Sequence, residues 1–307
     1  VPPPLPPSAG PAPGDNLRAS LLMTGAMACF AVNDLLVKLS SASIEPMQIM
    51  ALRGVMTSAL LFALAYGRGA LRPWRTAFTP VLLLRTVADV GTTISYISAL
   101  RHLPLANASA IFQALPLTIT LAAAVFLGEP VGWRRWLAIV VGFFGVLVIL
   151  RPTGDGFGVY AIWVLVSVAF AALRDLATRR LPTALPSLLV AGITSVAVSL
   201  TGFVMLPVVG WSPMTADLWM WLAVASVAIG AGYVMIVASM RTGDMGFVAP
   251  FRYTVLLFAF ALGVLVLGER PDWQEIVGSC IVVASGAYMI HREARRRRPL
   301  TVPPSAR

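Results

Sequence analysis

Long apolar runs, broken at intervals by Gly, Pro and charged residues, dominate this chain. A bilayer core about 30 Å thick is crossed by about 20 mainly apolar helical residues. Ten such runs follow one another, roughly 17–39, 46–66, 78–100, 105–127, 133–150, 156–178, 186–207, 217–240, 247–267 and 272–290. The breaks carry turn chemistry, among them Glu45-Pro46, Leu103-Pro104, Gly128-Glu129-Pro130, Leu181-Pro182 and Arg270-Pro271. The pattern predicts an all-α integral membrane protein of ten transmembrane helices. The Pro-rich opening, 1–16, is expected to be a disordered tail, and 292–307 a basic cytoplasmic tail.

Basic residues in short loops set the orientation. With a cytoplasmic amino terminus, the inside collects Arg18, Arg68, Arg72, Arg75, Arg134, Arg135, Arg174, Arg179, Arg180, Arg241 and the run Arg295–Arg298. The outside then receives Arg101, Arg151 and Arg270. Both termini are therefore expected in the cytoplasm.

Composition agrees with the membrane reading. Hydrophobic residues make up 58% of the chain and charged residues 12%, about half the share that covers a soluble surface. The net charge of +10 lies largely in loops and tail. It has none of the aromatic interleaving that single-strand nucleic-acid binders use, so nucleic acid is not an expected partner and anionic lipid is. Cys29 and Cys280 each sit inside an apolar run and read as packing residues. Neither metal nor cofactor is expected.

The chain also repeats itself. Leu127-Gly128-Glu129-Pro130 followed by Trp133 recurs 140 residues later as Leu267-Gly268-Glu269-Arg270 followed by Trp273. Arg101 and Arg241 share that offset, as do Pro46 and Pro186. Asp34-Leu35 and Lys38 match Asp175-Leu176 and Arg179 at an offset of 141. Residues 17–152 and 153–291 are thus two copies of five spans each. Five is odd, so the second copy enters the membrane upside down. Inverted repeats are an architecture of secondary transporters, with the substrate site near the midplane where the copies meet.

The paired Leu-Gly-Glu segments closing the fourth and ninth spans resemble the EamA-type members of the drug/metabolite transporter superfamily. So do Lys38 late in the first span, Arg53 early in the second and Pro116 inside the fourth. The resemblance covers about residues 17–291 and is carried by the order of these features over ten spans. It implies a bacterial inner-membrane exporter or exchanger of small metabolites, with a central cavity lined by spans 1, 3, 4, 6, 8 and 9. Within the family the chain is most similar to the aromatic amino-acid exporters of the YddG type. Arg252 stands where the 140-residue offset places Phe112, so any site is asymmetric.

Ionisable residues within a span cost at least about 2.5–3.5 kcal/mol near the helix centre, which makes each a functional candidate. Asp34 and Lys38 share a face near the outer end of the first span. They serve either as a duplicated anchor, with Lys38 reaching the headgroups, or in coupling. Arg85 and Asp89 are four residues apart in the third span. They form either a structural pair or a gate in which Asp89 takes up a proton. Arg53 reaches the headgroups or pairs with Asp34. Arg252 follows the helix-interrupting Pro250 and sits between Phe251 and Tyr253. It either holds a substrate carboxylate or snorkels to the inner surface. Asn33, Tyr96, Gln113, Trp163 and Tyr233 complete the candidate binding set, because polar side chains facing lipid would lack partners.

No GxxxxGK[ST] loop is present, which removes ATP-driven transport by this chain alone. The two histidines, His102 and His291, lie at span ends far apart and offer no catalytic or metal-ligand arrangement. A secondary transporter is expected to work by alternating access, and a monomer suffices for it. A channel or a lipid scramblase is the competing class.

Overall fold

The structure is a computed structural model that describes residues 13–71, 79–128, 132–150, 159–182, 185–243 and 245–297. In these residues it is helical throughout. The helices are α1 (Pro13–Ser41), α2 (Pro46–Gly67), α3 (Pro80–Leu100), α4 (Leu105–Phe112), α5 (Leu115–Leu127), α6 (Trp133–Leu150), α7 (Val159–Thr178), α8 (Ser187–Val209), α9 (Ala216–Thr242), α10 (Met245–Val248), α11 (Thr254–Leu265) and α12 (Trp273–Arg297). A 3-10 turn, Ala249–Tyr253, joins α10 to α11. Eight helices are long and apolar enough to cross a membrane, counting α4 and α5 as one, and the shorter apolar stretch Ala249–Leu265 adds to them. The 21-residue α3 is of similar length but carries Arg85 and Asp89.

Two boundaries differ from expectation. Helix α1 begins at Pro13, inside the stretch read as an unfolded tail, and α12 runs on to Arg297 through much of the basic one. The opening 1–12, Glu129, the segment around Arg151 and everything past Arg297 lie outside the described residues.

Packing follows the repeat. Helix α1 packs on α9 and α7 on α3, while α2 packs on α8 and α6 on α12. Exchanging the halves turns the first pairing into the second and leaves each of the other two unchanged. The turn before Leu105 lies against Glu269 at one end of the bundle. Its counterpart, Gly243, lies against Ala19 at the end bearing the chain termini. Equivalent turns therefore occupy opposite ends. Gly128 and Gly268 adopt matching left-handed conformations, φ +65° and +66°, which glycine enters without steric cost.

Small residues let the helices approach closely, as membrane packing favours. A Cβ on Gly54 would lie 2.6 Å from Cβ of Ser199, and one on Gly202 would lie 2.6 Å from the Met47 carbonyl oxygen. Serine hydroxyls donate across this crossing and two others: Ser199 to the Ala51 carbonyl at 2.7 Å, Ser167 to that of Thr92 at 3.0 Å, and Ser239 to that of Ala19 at 2.6 Å.

The fourth and ninth spans are both broken. The fourth is interrupted at Gln113 and Ala114, and Pro116 lies in the first turn of α5, where a missing N–H costs nothing. The fourth span is thus interrupted and not merely kinked. The ninth passes through Pro250 in its 3-10 turn. Gln113 donates to the Arg252 carbonyl at 3.4 Å, so the two interruptions meet. Half-helices that break at a shared depth supply backbone polar groups to a central site.

Candidate functional site

One cavity of about 1550 Å³ runs into the bundle between the two halves. Toward the end bearing the termini its walls include the exposed Arg179, Met240, Phe247 and His291. At the other end it stops on the buried Val37, Ile97 and Leu100. The cavity is open at one end and sealed at the other.

Two polar layers line it. The layer nearer the floor holds Arg53, seven residues into α2, and Asp34, seven residues from the end of α1. Arg53 Nη1 donates to Asn33 Oδ1 at 2.7 Å, Asn33 Nδ2 donates to Asp34 Oδ1 at 2.9 Å, and the Tyr96 hydroxyl donates to Asp34 Oδ2 at 2.9 Å. The expected pairing of Arg53 with Asp34 therefore runs through Asn33. The Tyr96 ring also meets Phe112 edge-on, with centroids 5.2 Å apart.

The layer nearer the mouth is built from α3, α7, α8, α9 and the 3-10 turn. Arg174 on α7 holds Asp89 on α3 and its own neighbour Asp175, each at 2.9 Å. This corrects the expected Arg85–Asp89 pair, because α7 brings a cation closer to Asp89. Arg85 instead donates to the hydroxyls of Thr178 and Thr194, at 3.0 and 2.6 Å. Tyr233 donates to the Ser187 carbonyl at 2.8 Å. Arg252 lines the cavity, and among the described residues no carboxylate lies within 4 Å of its guanidinium. Among the described residues the buried hydroxyl of Tyr253 has no hydrogen-bond partner, and it lies against Gly286, where a Cβ would not fit.

The structure brings Asn33, Asp34, Arg85, Asp89, Tyr96, Gln113, Tyr233, Arg252 and Tyr253 to the cavity wall. Three candidates lie elsewhere. Trp163 is 41% exposed and is not part of the wall, as expected of an indole on the lipid side of its helix. Phe251 packs with Met23, Met27 and Val248 and tilts against Phe247, centroids 6.0 Å apart. Lys38 does not snorkel outward.

Lys38 belongs to the seal. Its ammonium donates to the carbonyls of Leu103 and, at 3.2 Å, Leu100, and lies 3.6 Å from Glu269. Both Glu269 oxygens accept from the Leu105 N–H, at 2.8 and 3.0 Å, so the carboxylate caps α4, where the helix dipole favours negative charge. Around it Asn107 donates to Glu275 at 2.7 Å, and Arg101 meets Glu45 at 2.9 Å. Gln48 and Ser212 exchange two hydrogen bonds of 2.9 Å.

Sequence reasoning missed Arg174 and Glu269 as functional side chains. The first was counted among the loop basics although it directly precedes Asp175. The second was treated as a repeat marker, although a carboxylate after a left-handed Gly is well placed to reach a neighbouring helix terminus. Among the described residues, no group of three or more His, Cys, Asp or Glu is arranged to hold a metal ion.

A helical membrane bundle of two equivalent halves, with a cavity between them that the described residues leave open at one end, is the architecture of a membrane transporter. The chain belongs to the EamA-like transporter family, which matches residues 17–151 and again 158–291. The pseudopaline exporter CntI of Pseudomonas aeruginosa is 28% identical over 88% of this chain and 95% of its own length. The riboflavin transporter of Rhizobium johnstonii is 27% identical over 78% of this chain and 80% of its own. The S-adenosylmethionine uptake transporter of Rickettsia prowazekii is 23% identical over 86% and 90%. These names do not single out aromatic amino-acid export. A solved crystal structure superposes with a TM-score of 0.63 at 23% identity, covering 91% of this chain and 98% of the other, and shares the fold. The protein is a multi-pass membrane transporter.

Proposed function

We propose that this chain is a secondary transporter of the bacterial inner membrane that moves a small organic metabolite by alternating access. In this reading α3 and the broken ninth span complete ten transmembrane helices, arranged as two inverted five-helix halves. Both termini lie in the cytoplasm, so the open end faces inward. The observation that carries the reading is the cavity between the halves, which among the described residues is sealed at one end by a polar network and reaches exposed residues at the other. Rocking one half against the other would exchange the sealed and open ends.

The resemblance to YddG-type exporters implies an amino-acid substrate, whose carboxylate Arg252 would hold bidentately. The relatives are named for three dissimilar metabolites, pseudopaline, riboflavin and S-adenosylmethionine, the first relative being an exporter and the last an uptake transporter. Substrate and direction vary on this scaffold, and the broader reading, a metabolite bearing an acidic group, is the one adopted. A channel would need a continuous polar lining, whereas this cavity ends on aliphatic side chains.

The test is solute flux in proteoliposomes of purified protein. Saturable uptake accelerated by substrate preloaded on the far side is expected. A non-saturating ion current without counterflow would overturn the carrier reading in favour of a channel.

A further inference from the structure

The charges of the cavity do not balance. The described residues that line it include five arginines, Arg53, Arg85, Arg174, Arg179 and Arg252, and three aspartates, Asp34, Asp89 and Asp175. Every aspartate is already engaged. Asp34 accepts from Tyr96 and Asn33, while Asp89 and Asp175 share Arg174. Among the described residues, a substrate ammonium would find no free carboxylate here. Two arginines stand in the opposite position. Arg85 donates to two threonine hydroxyls, and among the described residues neither it nor Arg252 has a carboxylate within ion-pair distance. Beside Arg252, the buried Tyr253 hydroxyl has no hydrogen-bond partner among the described residues.

Low-dielectric walls concentrate the field of such an excess within a cleft, and a guanidinium fork matches carboxylate or phosphate oxygens. A zwitterion adds no net charge and would leave the excess uncompensated. An anion with two more acidic groups than amines would cancel it.

We infer that the substrate is an organic anion carrying two acidic groups in excess of its amines, with one acidic group on Arg252 and the surplus charge answered by Arg85. This rests on the carrier reading and names the substrate class of the same cavity. It displaces the amino-acid reading, because an amino acid brings an ammonium that the cavity has nothing to bind.

The experiment uses the full chain in detergent and in proteoliposomes, at fixed ionic strength, with probes that share one ring and differ in charge: tyramine, phenylalanine and phenylsuccinate. Phenylsuccinate is expected to raise the thermal unfolding midpoint and to drive counterflow, with tyramine and phenylalanine doing neither. Arg252→Ala is expected to weaken phenylsuccinate binding by at least about tenfold, the scale of a lost charge-assisted bidentate contact. Arg252→Lys, which keeps the charge without the fork, should retain part of the binding and covers the case in which the alanine variant does not fold. Arg85→Gln should weaken phenylsuccinate while leaving a monocarboxylate less affected. Trp163→Leu is the control.

Preference for phenylalanine or tyramine, or unchanged phenylsuccinate affinity in Arg252→Ala, would overturn the anion inference and leave the carrier standing. Absence of binding and counterflow for all three charge classes would sink the carrier reading itself.

Discussion

The two ends of the cavity are made by equivalent halves of one repeat, yet their polar chemistry is opposite. At the sealed end Lys38 and Glu269 lie 16% and 15% exposed, face each other and tie α1, the turn before α4 and the turn after α11 into one network. At the open end Arg179, the counterpart of Lys38, is exposed, and Glu129, the counterpart of Glu269, lies outside the described residues. The same sequence motif thus yields a closed latch at one end and a solvent-facing cation at the other.

The largest effect is expected where the latch is cut. Glu269→Ala leaves the Lys38 ammonium and the Leu105 N–H without their anion, and losing one partner of a buried pair costs about 3–5 kcal/mol. Thermal unfolding should fall steeply, and a cysteine placed at Ala106 should become reactive from the sealed side. Unchanged stability together with an unreactive cysteine would mean that Glu269 does not hold the seal.

Next comes the close crossing of α2 and α8 near that end. Gly202→Ala drives a Cβ to within 2.6 Å of the Met47 carbonyl oxygen, and overpacking of this kind costs about 1–3 kcal/mol. A lower melting temperature is expected, whereas a neutral result would show that the two helices have room to separate. Gln48→Leu removes both bonds to Ser212, for a loss of about 1–2 kcal/mol read in the same melt. The smallest effects should come from Arg101→Ala and Arg179→Ala. Arg101 meets Glu45 with both side chains about one third exposed, and such a pair is worth about 0–1 kcal/mol. Arg179→Ala should leave stability unchanged within about 0.5 kcal/mol. A large loss on removing Arg179 would break the contrast between the ends.

Much of this was legible in the chain. Span lengths and the 140-residue offset follow from hydrophobicity and self-similarity, which are local properties of the sequence. The broken ninth span followed from Pro250, because proline acts on its own helix. Pairings across helices were not legible. Asp89 has Arg85 one turn away on its own helix and still pairs with Arg174 on another, since side-chain reach across a crossing is set by packing that no spacing rule encodes. Trp163 was misplaced for a related reason: depth along a span can be counted from the sequence, but which side of the helix faces the cavity cannot. Lys38 could have snorkelled outward, and a carboxylate 231 residues later drew it inward.

The thinness of the seal has an electrical consequence. The cavity floor includes Leu100, the last residue of α3, and Val37, four residues from the end of α1. Only about one turn of helix, about 5 Å, separates them from the helix ends. Water entering from the open side carries that side's potential down to the floor, so the membrane voltage falls across this short septum. Moving the septum to the other end moves the voltage drop past every charge lining the cavity, at about 2.3 kcal/mol per charge per 100 mV. On the proposed orientation and substrate, an interior-negative membrane would hold the empty, positively charged cavity facing inward, and a bound dianion would release it. In that reading the membrane potential would set the resting orientation of the transporter, and its loaded step would be nearly blind to it.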